Sequence, residues 1–379
     1  MTAYDAIVVG VGGMGSAAAY HLAARGHRVL GVERFTPAHD QGSSHGRSRV
    51  IRQAYHEHPS YVPLVLRAYE LWREVERESG RRLLTVTGGI MVSTRDAGLV
   101  TGGLHSAEQW NLPHELLDAA EVRRRFPTLT PGDDVVGLYE PNTGFVRPEE
   151  AVRAHGELAA KAGAELRYGE QVTGWAANGD GVEVTTRHGT YAGGRLVLCP
   201  GAWAPLLLPD LPVPLAVERQ VMHWFEPAGD LAAFAADRHP VYLWGESDDD
   251  LLYGFPAHDG ETAVKAAFYR RPDRCTPEDM DRTVSPAEVE EIAAFMHTRI
   301  PSAVGRHVTS KTCMYTLTPD HDFVVGLHPA HANVVVACGF SGHGFKFVPV
   351  MGEILADLAT VGRTTHDIAL FDPTRTPRR

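Results

Sequence analysis

The chain reads as an α/β protein, α+β overall, in which a nucleotide-binding domain is interleaved with a domain built on a mostly antiparallel sheet. Three observations carry this. Strand, glycine turn and helix follow one another at once near the start, as Ile7-Val8-Val9, Gly10-Val11-Gly12-Gly13-Met14-Gly15 and the alanine-rich run Ser16 to Ala24. A second strand, glycine loop and helix occurs near the end, with Asn333 to Ala337 leading through Gly339-Phe340-Ser341-Gly342-His343-Gly344 to a helical stretch from Val350 to Leu358. Between them, strand signals at Thr87 to Val92, Val221 to Phe225, Val241 to Trp244 and Leu251 to Phe255 point to the antiparallel sheet.

The first element is a Rossmann-like grip. Its first glycine permits the tight turn, the second lets backbone approach a pyrophosphate, and the third lets the helix pack on the strand, with the helix N-terminus facing the negative charge. Gly26 closes the helix, an apolar strand runs from Val29 to Val32, and Glu33 follows it where an acid accepts ribose hydroxyls. Tyr61 to Glu76 is helical, with Val65, Tyr69, Trp72 and Val75 at packing spacing, and Pro148 to Ala162 is helical with Lys161 near its end. Arg167 to Val172 reads as a strand returning to the nucleotide domain. The expected division is 1–80, 148–215 and 320–379 for cofactor binding, and 81–147 and 216–319 for the substrate.

Composition excludes several classes. At 379 residues and 44% hydrophobic content the chain can bury a large core, and a formal charge of −11 with no basic block disfavours nucleic acid and anionic membrane. No apolar run reaches membrane-spanning length, so retention in the cytoplasm is expected. Cys199, Cys275, Cys313 and Cys338 are scattered without CxxC spacing, and His56-Glu57-His58 has no further ligand spacing, so no metal is expected. Ser341 precedes His343 outside a nucleophile-elbow context, which disfavours a hydrolase. The acidic stretch Ser247 to Asp250 reads as a solvated turn.

The cations are more telling. Of 36 Lys plus Arg only four are lysine, at 161, 265, 311 and 346. Lys265 interrupts the apolar strand-like run Ala263 to Phe268, where an unpaired ammonium is expensive. Lys346 sits among Phe345 and Phe347 after the glycine loop and suits a carboxylate partner. Lys311 lies two residues from Cys313, and a thiol near ammonium groups has a lowered pKa and more of the reactive thiolate.

Taken together these motifs resemble the monomeric sarcosine oxidase and N-methyltryptophan oxidase family. The glycine fingerprint, Gly42-Ser43-Ser44-His45-Gly46-Arg47-Ser48-Arg49-Val50-Ile51-Arg52, Tyr253-Gly254-Phe255-Pro256, Lys265, Lys311 to Thr316 and Gly339 to Phe347 occur in the family's order along nearly the whole chain. The resemblance implies a flavin oxidase of secondary amines, with FAD joined covalently to Cys313 and dioxygen reduced to hydrogen peroxide. It also implies a small-molecule amine substrate, most readily an N-methyl amino acid, and a monomer.

Residue by residue, it implies a carboxylate clamp at Arg52 and Lys346, with Tyr253 and Tyr315 lining the substrate cavity. It sets Arg49 and His45 over the flavin ring and Lys265 where dioxygen is activated. The cofactor would meet Gly10, Gly12, Gly13, Met14, Gly15, Glu33, Arg34, Ser43, Ser44, Arg49, Val172, Gly201, Gly342, Gly344 and Lys346.

Three positions depart from the family: Ser44 replaces a frequent histidine, Arg47 stands at a position often acidic, and Tyr269 stands where sarcosine oxidases place an active-site histidine. A phenol donates a hydrogen bond but carries no positive charge near neutral pH, which leaves open a cyclic imino acid or a specialised biosynthetic amine as substrate. A flavin dehydrogenase, a nicotinamide enzyme and a non-catalytic FAD-binding protein are the remaining alternatives on sequence.

Overall fold

A computed structural model describes residues 4–179, 181–245 and 250–378; of the acidic stretch Ser247 to Asp250, only Asp250 lies within the described residues. Tyr4–Val9 is the centre of an eight-stranded sheet. It pairs in parallel with Val29–Val32 and with Thr190–Leu198, which in turn pairs in parallel with His331–Cys338. Glu165–Arg167 extends the parallel set beyond Val29–Val32, and the hairpin Val172–Asn178 with Gly181–Thr186 joins the other flank antiparallel. The central parallel strands are buried on both faces where they read Ile7-Val8-Val9, Leu196-Val197-Leu198 and Val334-Val335-Val336, as this position requires, while the edge strand Glu165–Arg167 is partly exposed.

Helix Gly13–Ala24 packs against Val348–Val361 and Pro148–Lys161. Its alanines allow close approach: a Cβ on Gly352 would lie 2.6 Å from the Cβ of Ala17. The last helix is longer than its apolar pattern suggested because a 3₁₀ turn, Phe345–Phe347, feeds directly into it.

Arg167 to Val172 is not one strand. Glu165–Arg167 ends, Gly169 at φ +72° reverses the chain, and Val172 begins the hairpin. The β-like residues on either side hid the turn, which only glycine at that φ makes cheap.

The second sheet has nine strands in the order Arg274–Cys275, Ala216–Phe225, Val264–Phe268, Leu252–Phe255, Val241–Trp244, Gly89–Thr94, Val135–Glu140 and Glu115–Asp118, with His307–Leu317 also on Ala216–Phe225. Its one parallel pairing joins Val241–Trp244 to Gly89–Thr94; the other pairings are antiparallel. Side chains opposite one another in antiparallel strands share a face. Ala266 and Phe268 therefore join Tyr242, Trp244 and the helix Pro286–His297 in one core, while Lys265 and Ala267 face the first sheet beside Trp224, Met222, Phe255 and Tyr253.

A three-stranded sheet, Arg49–Ile51, Gly144–Val146 and Leu84–Val86, brings Arg49 and Arg52 between the two large sheets. Among the described residues no helix is long and apolar enough to cross a membrane.

The segment after Arg52 is held by a buried carboxylate, since Glu140 accepts from the amides of Gln53 (2.7 Å) and Ala54 and from Thr143 Oγ. Glu140→Ala strands two buried amides and is expected to cost about 2–3 kcal/mol in urea unfolding, given the usual penalty for such groups; an unchanged midpoint would show that the amides find other acceptors.

Acid will act through histidines. Burial pushes His155 down to about 4 and His239 to about 3; burial foremost, with a neighbouring charged group, takes His45 and His343 to about 3. Each folds without its proton, which the unfolded chain regains near the ordinary 6.5. Stability is therefore fullest above pH 6.5 and falls as pH drops toward 4, by up to about 1.4 kcal/mol per pH unit per histidine. Urea midpoints between these limits check this, and a flat profile contradicts it.

Candidate active site

Two cavities lie between the large sheets. The larger, of about 440 Å³, runs from the first glycine turn to the loop after His331–Cys338; the smaller, of about 50 Å³, meets it at Arg49, Tyr315, Gly342 and Phe345.

The larger cavity has the chemistry of a dinucleotide site. Gly10, at φ +84°, ends the first strand, and any Cβ there would collide with the Cys199 carbonyl; a Cβ on Gly15 would collide with the carbonyl of Gly10. These two constraints press the helix N-terminus against the strand end, and Gly12, Gly13 and Met14 form the wall. Gly13 N–H donates to Ser44 Oγ (3.2 Å). Gly15 itself is not on the wall, so its part is packing rather than contact with a cofactor.

Glu33 accepts from the amides of Val11 and Phe35, both 2.9 Å. Burial pushes its carboxyl up, but His39 and these amides prevail and hold it below the ordinary value. Arg34 pairs with Glu278 and lies 5.5 Å from the Trp203 ring. Ser43, Val172, Gly201 and Gly344 are also on the wall.

His45 is buried without lining either cavity, and neither of its ring nitrogens has a partner among the described residues. Burial and then Arg49 keep it neutral. Its chain neighbours Ser43, Ser44 and Arg49 line the larger cavity. His45, expected over the flavin ring, thus stands behind the wall, whereas the cavity's size and its glycine cradle fit a dinucleotide cofactor.

Cys313 shares a sheet face with Tyr315 and is 1% exposed. It is not on the wall, which its neighbours Met314, Tyr315 and Thr316 form. Burial pushes its thiol up, and the pull of Arg49 and Lys265 does not reverse this. The expected lowering by Lys311 is therefore corrected. Lys311 stands on the exposed half of its strand and pairs with Asp40 (3.3 Å), so it is a surface residue after all.

Lys265 Nζ donates to the carbonyls of Gly46 (2.8 Å) and Ser48 (2.6 Å) and lies 4.7 Å and 5.6 Å from the rings of Phe255 and Trp224, its cross-strand neighbours. Burial and then Arg49 push its pKa well down, opposed by Glu149, Cys313 and Glu261. Arg49 donates to the Ser43 carbonyl and to Met222 Sδ, each at 3.0 Å.

In the smaller cavity Arg52 donates to Glu57 (2.7 and 2.8 Å) and to the Ala54 carbonyl (2.7 Å), and stacks 4.3 Å from the Tyr55 ring. Lys346 donates to the His343 carbonyl (2.7 Å) and Tyr55 Oη (3.3 Å). The two cations expected to converge on a carboxylate do share a wall, but Arg52 already holds one. Sequence reasoning had weighed Glu57 only beside its histidines; the missed signal was that a buried guanidinium demands an acid. Lys346 lines only this chamber, which removes it from the cofactor wall.

Tyr253, Tyr269 and Tyr315 complete the walls, with Arg270 donating to Tyr269 Oη (3.2 Å). Ser341 Oγ bonds the Gly339 carbonyl and the Thr318 amide, while His343 Nδ1 meets Tyr55 Oη, so this serine and histidine do not act together.

A family model described as FAD dependent oxidoreductase matches residues 5–358. The chain is 56% identical over 374 residues to the monomeric sarcosine oxidase of Streptomyces avermitilis, covering 98% of this chain and 97% of that protein. It is 34% identical to the N-methyl-L-tryptophan oxidase of Citrobacter koseri, over 97% and 98% of the two chains. Among solved structures, NikD, described as an unusual amino acid oxidase essential for nikkomycin biosynthesis, superposes with a TM-score of 0.88 at 28% identity, covering 100% of both chains.

Gly10→Ala is expected to yield folded protein retaining less than about a tenth of its flavin, because an L residue resists this φ and its Cβ displaces Cys199. Visible absorbance per protein measures it; full flavin content would show that the turn tolerates the change.

Proposed function

The chain belongs to the FAD-dependent oxidoreductase family, and we propose that it oxidises a short N-methyl amino acid such as sarcosine with dioxygen. The observation that carries this reading is a chamber of about 50 Å³, walled by Arg52, Lys346 and three tyrosines, that opens on the dinucleotide cavity. Its size favours a short side chain over an indole. When bound, FAD supplies the two-electron acceptor for a C–H bond beside the amine nitrogen, and amine, dioxygen and water become primary amine, aldehyde and hydrogen peroxide.

Lys346 and Arg52 bind the substrate carboxylate, the guanidinium fork being shared with Glu57. Arg49, Arg52 and Lys346 make the chamber positive and so disfavour an ammonium, which leaves the amine as the free base needed for oxidation. Tyr253, Tyr269 and Tyr315 exclude water and hold the amine side. Lys265 supplies the positive charge that favours electron transfer to dioxygen. Gly12, Gly13, Met14, Glu33, Ser44, Val172 and Gly201 would hold FAD. Its link to Cys313 is supported by the next residues, Met314, Tyr315 and Thr316, on the cavity wall and by Arg49 beside the thiol, and it requires the thiol to reach past that wall.

The segments 1–80, 148–215 and 320–379 are assigned to the cofactor and 81–147 and 216–319 to the substrate, in keeping with the division of strands between two sheets. A monomer in the cytoplasm completes the reading, supported by the name of the sarcosine oxidase relatives and by scattered cysteines suited to a reducing compartment.

Acid-precipitated protein is expected to keep its yellow colour in the pellet, and Cys313→Ala to release it; colour lost from the wild type removes the covalent link. Lys346→Met should raise KM for sarcosine about a hundredfold with a smaller change in kcat, as loss of a charged carboxylate contact does. Unchanged KM, or no peroxide from sarcosine, would refute the clamp or the substrate respectively.

A further inference from the structure

The two carbonyls that receive the Lys265 ammonium belong to Gly46 and Ser48. The residue between them, Arg47, has φ +65°, and Ser48 N–H donates to the Gly46 carbonyl at 2.7 Å. This closes a three-residue γ-turn with positive φ at its centre, the rarer and strained form. A non-glycine residue persists there only where its surroundings over-determine it.

Glu149 is what fixes the turn. From the first turn of helix Pro148–Lys161 its carboxylate accepts from Gly46 N–H (2.7 Å) and from Arg47 N–H (3.1 and 3.2 Å). Successive amides converging on one anion leave the carbonyls free to turn elsewhere, and here those of Gly46 and Ser48 meet Lys265. The Ser48 hydroxyl does not share the task, because its Oγ has no partner among the described residues. The Arg47 side chain points outward, to Glu261 (3.0 Å) and to the ring of Trp224 (5.6 Å).

We propose that Glu149 is a positioning residue for the dioxygen half of the reaction. Through the Gly46–Ser48 turn it places the carbonyls that hold the Lys265 ammonium, without itself touching the reacting groups. The inference rests on the oxidase reading above.

The test compares Glu149→Gln and Glu149→Gln/Arg47→Gly with wild type at matched flavin content, by stopped-flow. Glu149→Gln is expected to slow reaction of the reduced enzyme with dioxygen about tenfold or more, the scale of a modest misplacement, with reduction by amine changed less than about twofold. Glycine adopts positive φ without strain, so the double variant recovers the dioxygen rate. Thermal unfolding of the flavin-free chain gives a readout apart from turnover: the midpoint falls by about 2 °C in Glu149→Gln and returns in the double variant. An unchanged dioxygen rate, equal losses in both half-reactions, or a loss that Arg47→Gly leaves unrepaired each overturns the inference. Wild type that binds no flavin, or reduces it without reacting with dioxygen, overturns the oxidase reading first and is seen separately.

Discussion

Everything in the site answers to one constraint, an excess of positive charge taken out of water. Arg49, Arg52, Lys265 and Lys346 converge between the two sheets, and among the described residues Arg52 alone of the four touches a carboxylate, that of Glu57. Removing a charge from water is expensive unless polar groups replace the solvent. Here carbonyls, a phenol, aromatic faces and a thioether do so, leaving net positive charge. Such a space costs stability and favours anionic visitors: a carboxylate in the small chamber, and the charge that develops when a cofactor in the larger one is reduced.

The period-two alternation of the second sheet sorts residues about this space. In Val264–Phe268 the odd positions lie beside Trp224, Met222, Phe255 and Tyr253, with Lys265 behind the walls of both cavities, and the even ones lie in the core beneath helix Pro286–His297, so a lysine is placed on the site side of a strand while both its chain neighbours are apolar. The same face of His307–Leu317 carries Cys313 and Tyr315, and that of Leu252–Phe255 carries Tyr253. A slip of one residue in register would exchange these for core residues. The packing of Val264, Ala266 and Phe268 thus fixes the chemistry on the opposite face.

Local pattern made the first glycine turn, the helices and most strands legible, because each follows from a few consecutive residues. The rarity of lysine also pointed to Lys265 and Lys346, both of which are buried. It failed for Lys311, since only the second half of His307–Leu317 is buried and sequence does not show where along a strand burial begins. The cation beside Cys313 is Arg49, more than 260 residues away in the chain and joined only by folding. The pairing of Glu57 with Arg52 and the parts of Glu140 and Glu149 went unread for a related reason. Their carboxylates bond backbone amides or a buried guanidinium, and such roles leave no mark in spacing.

Why the two buried lysines meet carbonyls rather than carboxylates follows from what the charge is for. A carboxylate in contact would cancel the field, whereas a carbonyl dipole solvates the ammonium and leaves its charge to act on a ligand. Free carbonyls are scarce inside sheets, where ladders consume them. They become available where the chain leaves the ladder, and both lysines are served by such places. Lys265 takes the turn at Arg47, with φ +65°. Lys346 takes the carbonyl of His343, in a loop where Gly339, Ser341 and Gly342 all have positive φ. That loop also sets the junction of the cavities, for a Cβ on Gly342 would lie 2.5 Å from the Tyr315 ring. Left-handed backbone is therefore the means by which this fold keeps buried ammonium groups both solvated and unneutralised, and the strain at Arg47 and Ser341 is the cost of leaving that charge available.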